Sequence, residues 1–159
     1  MQNFLKVYKN EKQEIYYYHF LYVGKYFKYL RGQPIEIKNQ SSKNIYFSEE
    51  ENSDFFDGER FDSHFIRMTL HQINPSESRL QKDKFVMVII HQFSDYIRRD
   101  LDNGCYKPII DAIKKCRIID DDSHFYLSLM LFGSVGENEE LNVFLIPHSN
   151  IDEIHIIIF

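Results

Sequence analysis

The chain has 159 residues, of which 43% are hydrophobic and 27% are charged, and these values are typical of one globular domain rather than a disordered chain. The net charge of −5 argues against a simple nucleic-acid-binding protein, because such proteins usually carry a basic surface. No apolar run approaches the roughly 20 residues of a membrane-spanning helix. The first residues also lack the pattern of a signal peptide, so we expect a cytoplasmic protein without a membrane segment.

The charge is distributed unevenly along the chain. Residues 1–31 and 98–117 carry net charges of +4 and +3, whereas residues 49–62 and 118–159 carry −6 and −8. If the folded chain places the basic segments on one side and the acidic segments on the other, a positive face could still bind nucleic acid. We predict this segregation.

The first half of the chain contains few clear elements. Residues 15–30 combine dense aromatic side chains with Gly24-Lys25, a pattern that predicts a β-hairpin with a two-residue turn. The aromatic side chains are typical of a packed sheet face, although bases could stack on them beside nearby lysines. Ser48 to Glu51 fits a capping box that begins a short helix, the acidic run 49–62 reads as a loop, and Arg67–Ile73 is predicted as a strand.

The second half is more regular. Phe85–Phe93 is nearly continuous in apolar residues, which predicts a strand buried on both faces. A helix is predicted over 103–117, and further strands over 125–132, 142–146 and 154–159. The helix would bury one apolar face, made of Ile109, Ala112, Ile113 and Cys116. We therefore predict a single α+β domain over 1–159, with a mixed sheet packed against one main helix.

The segment from Arg98 to Phe125 carries the residues that suggest chemistry. Asp100 and Asp102 are two apart, so in extended backbone their carboxylates point the same way, and Asp102 or Asn103 could cap the helix that follows. The triplet Asp120-Asp121-Asp122 comes after the helix, and the chain could fold it back beside the first pair. Converging carboxylates are the ligands that Mg²⁺ prefers, and a nearby lysine would offset charge on a reacting phosphate.

The same residues also allow a purely structural interpretation. Asp100 and Asp102 would then be loop and cap residues, the aspartate triplet a solvated turn, and Lys107 would pair with Asp111 along the helix. Spacing alone leaves both interpretations open.

The order of the motifs resembles the RusA family of Holliday junction resolvases. The matching elements are Arg98-Arg99, Asp100-Leu101-Asp102-Asn103, Lys107, Asp111-Ala112-Ile113 and Asp121-Asp122. The resemblance covers about thirty residues, and residues 1–65 diverge from the family. Gly104, Cys105 and Tyr106 separate Asn103 from Lys107, one residue more than the usual pattern has.

This resemblance implies an α+β homodimer that cuts four-way or otherwise branched DNA in recombination and repair, using Mg²⁺ or Mn²⁺. Carried over by position, Asp100, Asp102 and Asp122 would be catalytic metal ligands, with Asp121 as an additional ligand, and Lys107 would be the catalytic lysine. Basic residues around the site would contact DNA, and these are Arg98, Arg99, Lys114 and Lys115. A catalytically silent relative that binds DNA or protein on the same scaffold is the alternative, and an unrelated α+β interaction protein with a chance match is a third option.

Overall fold

A five-stranded mixed sheet forms the centre of the computed structural model, which describes residues 5–24, 61–76, 80, 84–101 and 106–159. The strand order is β1-β2-β5-β3-β4, in which only β3 and β4 run parallel. The elements in chain order are β1 (Leu5–Lys9), β2 (Glu14–Val23), α1 (Phe61–Gln72), β3 (Phe85–Phe93), α2 (Lys107–Lys115), β4 (Leu127–Val135), β5 (Glu140–Pro147), a 3₁₀-helix (His148–Glu153) and α3 (Ile154–Ile158).

Helices cover both faces of this sheet. On one face, α1 and α2 pack Phe65, Ile109 and Ile113 against alternate side chains of the strands. On the other face, Ile154 and its neighbours in α3 pack against Val86 and the remaining alternate positions. A strand that is buried on both faces needs a nearly continuous apolar sequence. β3 has such a sequence, and its first five residues are all buried.

The two strongest sequence predictions are confirmed. The strand at 85–93 has the predicted bounds. The helix predicted over 103–117 is present as α2, which is shorter, and it buries Ile109, Ala112 and Ile113 with Pro108 in its first turn. Because β3 and β4 are parallel, the chain must cross from one end of the sheet to the other between them, and α2 is part of that crossover.

Two predicted strands are wrong. Arg67–Ile73 is mostly the second half of α1, whose buried positions Phe65 and Thr69 are spaced by one helical turn. Residues 154–158 form α3 rather than a strand, because Ile154, Ile157 and Ile158 pack on the sheet face at helical spacing. The sheet therefore packs against two longer helices, α1 and α2, and not against one main helix.

The N-terminal hairpin lies earlier than predicted. Its strands are β1 and β2, with Tyr8 opposite Ile15, and the Asn10 side chain accepts hydrogen bonds from the backbone N–H groups of Lys12 and Gln13 in the turn. The strand predicted before the turn at Gly24-Lys25 is therefore the inner strand β2. The predicted second arm at 25–30, the capping box at Ser48 to Glu51 and the acidic run up to residue 60 lie outside the described residues.

The predicted α+β class with a mixed sheet is confirmed. Among the described residues, no helix has both the length and the apolar character needed to cross a membrane.

Candidate active site

The crossover between β3 and β4 carries all the predicted site residues. Its first part leaves the carboxyl end of β3 and brings Leu101 over Gly133 of β4, where a Cβ atom on the glycine would lie 3.2 Å from Leu101 Cδ1. Glycine at position 133 therefore gives this leucine room to pack against β4. This contact fixes where the neighbouring Asp100 lies, which is toward the carboxyl end of β4.

Asp100 is exposed beside this contact. Asp102 and Asn103, its predicted companions, lie outside the described residues. The prediction that one of them caps the helix is wrong, because α2 begins at Lys107 and its N-cap position is Tyr106, which makes no side-chain capping bond.

Lys107, the predicted catalytic lysine, is paired within its own helix. Its Nζ lies 3.0 Å from Oδ1 of Asp111, one turn further on, and 69% of its side chain is exposed. The structure thus has the ion pair of the structural interpretation. Exposed pairs of this spacing contribute only about 0.3–0.5 kcal/mol, so a bound phosphate could displace Asp111 at little cost.

Asp121 and Asp122 meet at the other end of α2. Lys114 Nζ lies 3.0 Å from Oδ1 of Asp121 and 3.1 Å from Oδ1 of Asp122. The Lys114 ammonium, helped by Ser123, lowers the pKa of Asp121 to about 2, and the two aspartates in turn raise the pKa of Lys114. This group is a carboxylate pair whose charge is already partly neutralised.

The two halves of the predicted site lie toward opposite ends of β4. Asp100 is beside Leu101, which packs on Gly133, whereas Asp122 precedes Ser123, whose carbonyl accepts from Leu127 N–H at 3.0 Å. The six residue-to-residue steps from 127 to 133 span about 20 Å of extended strand. Among the residues that the structure describes, no three acidic, histidine or cysteine side chains gather as metal ligands.

Most of the basic side chains predicted to bind DNA are already paired with acids. Arg99 donates to both oxygens of Asp95, at 2.6 and 2.9 Å, and lies over the Phe93 ring. Lys115 Nζ is 3.9 Å from the buried carboxylate of Asp62. Lys114 has the two aspartate partners described above. Arg98 is exposed and forms no ion pair with another described residue.

The sequence prediction missed a buried polar cluster near the carboxyl end of β3. His91 is fully buried, with Nδ1 3.0 Å from the Tyr106 hydroxyl and Nε2 3.0 Å from Oε1 of Glu139. One tautomer satisfies both contacts, with Nδ1 accepting from Tyr106 and Nε2–H donating to Glu139. Burial raises the pKa of Tyr106, which keeps its proton available for this bond.

The cluster ties α2 to the sheet because Tyr106 is the residue immediately before Lys107. It therefore fixes the start of the helix that carries the predicted catalytic lysine. A histidine within the apolar run of β3 was the only sequence signal, and its partners are distant in the chain.

No protein-family model and no curated protein matches the chain.

Proposed function

We propose that the chain is a metal-dependent endonuclease that cuts four-way or branched DNA, as its resemblance to the RusA family implies. The observation that carries the proposal is the placement of the resembling segment on the β3–α2–β4 crossover. In this arrangement Asp100 follows a buried strand, with Asp102 two positions later in the sequence. Lys107 begins a helix packed on the sheet, and Asp121 and Asp122 follow that helix.

The type of donor atom suits the proposed metal, but within one chain Asp100 and the Asp121–Asp122 pair lie toward opposite ends of β4. Asp100, Asp102, Asp121 and Asp122 offer only carboxylate oxygens, which are the ligands that Mg²⁺ and Mn²⁺ take in phosphodiester-cleaving enzymes. When bound, the metal would activate a water molecule and stabilise the leaving oxygen. Lys107 would leave Asp111 and place its ammonium against the charge that builds on the phosphate.

The proposal is tested with a synthetic four-way junction incubated with Mg²⁺, with Mn²⁺ and without either ion. We expect cleavage that depends on the metal, and a loss of about 100-fold or more when Asp100, Asp102 or Asp122 is changed to Asn. Asp120→Asn is the matched control, since Asp120 is an exposed neighbour outside the proposed ligand set. An intact junction after incubation of the wild-type protein with either metal would contradict the proposal.

A second candidate is a silent relative that binds DNA or protein without cutting. The ion pairs of Lys107 and Lys114 favour it, because both lysines already have acidic partners. The same junction distinguishes the two functions, since a silent relative would bind it in a salt-dependent way in the presence of Mg²⁺ and leave it uncut.

A further inference from the structure

The two edges of the sheet differ in how they are protected. The edge strand β1 has five residues, two of which are lysines, and short, charged strands resist pairing with other chains. The opposite edge strand, β4, has nine residues and reads Leu-Ser-Leu-Met-Leu-Phe-Gly-Ser-Val, without charge or proline. Among the described residues β4 pairs only with β3. A long, uncharged and apolar edge is the kind that normally pairs with another strand.

The backbone of β4 is oriented for such pairing. Phe85 N–H donates to the Tyr126 carbonyl at 2.9 Å, so the even-numbered residues of β4 direct their backbone groups toward β3. The odd-numbered residues direct their N–H and C=O groups outward, and past the turn at the start of the strand these are Leu129, Leu131, Gly133 and Val135.

The side chains along this edge are also unusually apolar for a surface. Leu129 is 50% exposed and Val135 is 48% exposed, and Phe125 and Tyr126 in the lead-in to the strand are exposed as well. These exposed apolar residues recur along the edge that carries the outward backbone groups. Large exposed apolar side chains clustered along one edge are a feature of interaction sites.

We propose that this edge binds a second copy of the chain, by antiparallel pairing of β4 with the partner's β4 about a two-fold axis at Leu131. The outward backbone N–H and C=O groups of β4 belong to its odd-numbered residues. A two-fold axis at an odd-numbered residue therefore places these groups opposite the same groups of the partner's β4, where they can form hydrogen bonds. This register places Leu129 opposite the partner's Gly133 and Leu127 opposite the partner's Val135. It joins the two sheets into one ten-stranded sheet.

The register also matches the shapes of the two side-chain rows. Gly133 has no side chain, and Leu101 covers it. Residues directly opposite each other in an antiparallel pair lie on the same face of the sheet. The half-exposed Leu129 would therefore pack beside the partner's Leu101 and become buried.

One consequence rests on the proposed function. Antiparallel pairing brings the amino end of β4, preceded by Asp121 and Asp122, to the carboxyl end of the partner's β4, where the partner's Asp100 lies. Leu127 falls opposite the partner's Val135, only about 7 Å along the strand from the partner's Gly133. Leu101, next to Asp100, packs on the Cβ side of Gly133, and Asp121 and Asp122 pair with Lys114 of α2. The two halves that a single chain separates would thus form two identical sites, each built from both subunits.

The pairing is tested by Leu129→Lys with Val7→Lys as its matched control, since Val7 is a 43% exposed apolar residue on the other edge strand. Sedimentation equilibrium should show a dimer for the wild type and for Val7→Lys. For Leu129→Lys it should show dissociation at a concentration at least about tenfold higher, because a charge would lie against the partner's Leu101. Equal dimer affinity for both variants, or a monomeric wild type at micromolar concentration, would overturn the proposal.

The register is tested by oxidation in a Cys105→Ser background. A cysteine at position 131 would face its own counterpart at about 5.5 Å between Cα atoms, which a disulfide can span. We expect Leu131→Cys to cross-link into dimers and Leu129→Cys to remain uncross-linked, since position 129 would lie about 13 Å along the strand from its counterpart. The reverse pattern would overturn the register.

The shared site is tested by mixing two inactive proteins, Asp100→Asn and Asp122→Asn, after dissociation and reassociation. In a heterodimer one site would lack both carboxylates and the other would be intact. Random mixing should therefore recover about a quarter of both the junction cleavage and the tight Mn²⁺ binding seen by electron paramagnetic resonance. No recovery beside an active wild type would show that each site belongs to one chain and would overturn the shared site. A wild type that neither cuts junctions nor binds Mn²⁺ would overturn both the proposed function and the shared site, whereas the Leu129→Lys comparison would still decide the pairing.

Discussion

A hydrogen-bonded or ion-paired polar cluster lies near each end of β4, and one cluster is buried while the other is partly exposed. Near the carboxyl end, His91 is fully buried between Tyr106 and Glu139. Near the amino end, Lys114 pairs with Asp121 and Asp122, and these side chains are 30–41% exposed. The first group contacts α2 just before its first residue, and the second contacts α2 near its last.

The difference separates groups that hold the fold from groups that can exchange partners. A buried hydrogen-bonded group that loses its partner pays a large desolvation cost, so the His91 cluster is expected to stay intact in every functional state. An exposed ion pair contributes little to stability and is screened by salt. The aspartates at the amino end are therefore able to leave Lys114 for a metal ion, and Lys114 is then able to contact a phosphate.

The largest expected effect comes from breaking the buried cluster. His91→Leu removes a hydrogen bond from both Tyr106 and Glu139, and we expect the free energy of unfolding to fall by about 2–4 kcal/mol. Urea denaturation measures this. His124→Leu is the control, since His124 is exposed and its replacement should change the free energy by no more than about 0.5 kcal/mol. Similar values for the two variants would show that the buried hydrogen bonds of His91 contribute no more to stability than an exposed histidine does.

A smaller effect should distinguish two adjacent arginines near the carboxyl end. Arg99 holds both oxygens of Asp95 and lowers the pKa of that carboxyl to about 2, whereas Arg98 is exposed. We expect Arg99→Gln to lower the midpoint of thermal unfolding. Arg98→Gln should leave that midpoint unchanged and reduce the salt dependence of junction binding by about one phosphate contact. If Arg98→Gln left the salt dependence unaltered, its predicted role in DNA binding would be wrong.

The smallest effect is expected at the amino end. Lys114→Met removes the ammonium that lowers the pKa of Asp121 to about 2, so the pKa should rise toward its ordinary value of 3.8. Because the folded-state pKa is the lower one, this pair stabilises the fold at neutral pH, and its contribution is lost as the pH falls from about 4 toward 2. Carbon-detected NMR titration of the Asp121 carboxyl measures the shift. Lys115→Met, which removes a lysine 3.9 Å from Asp62 and not from Asp121, should leave the Asp121 titration unchanged.

Local patterns account for the parts of the fold that could be predicted. The apolar run of β3 and the helical spacing of Ile109, Ala112 and Ile113 are both visible within a short stretch of sequence. Both elements could therefore be predicted. The helix α1 was missed because polar residues share its buried face. Thr69 is buried there because its hydroxyl contacts both the Phe65 carbonyl and the Tyr22 hydroxyl.

Tertiary contacts account for the rest. The isoleucine-rich end of the chain has strong strand propensity, yet it forms α3 because packing on the sheet face overrides that propensity. The candidate site shows the same limit. Sequence spacing placed the aspartates on one crossover, but it could not show that α2 and β4 hold Asp100 and Asp122 apart. Nor could it show that residues 91, 106 and 139 meet.

The position of β5 has a consequence for how the chain reaches this fold during synthesis. Among the described strands β5 comes last in the sequence, yet it lies between β2 and β3, and it pairs Tyr18 with Leu145, 127 positions later. A nascent chain therefore cannot close this sheet until β5 has left the ribosome. Until then the apolar faces of β2 and β3 lack their shared neighbour, and contacts between residues so distant in sequence also form slowly. The emerging protein should thus depend on chaperones that shield these strands until β5 is available to pair with them.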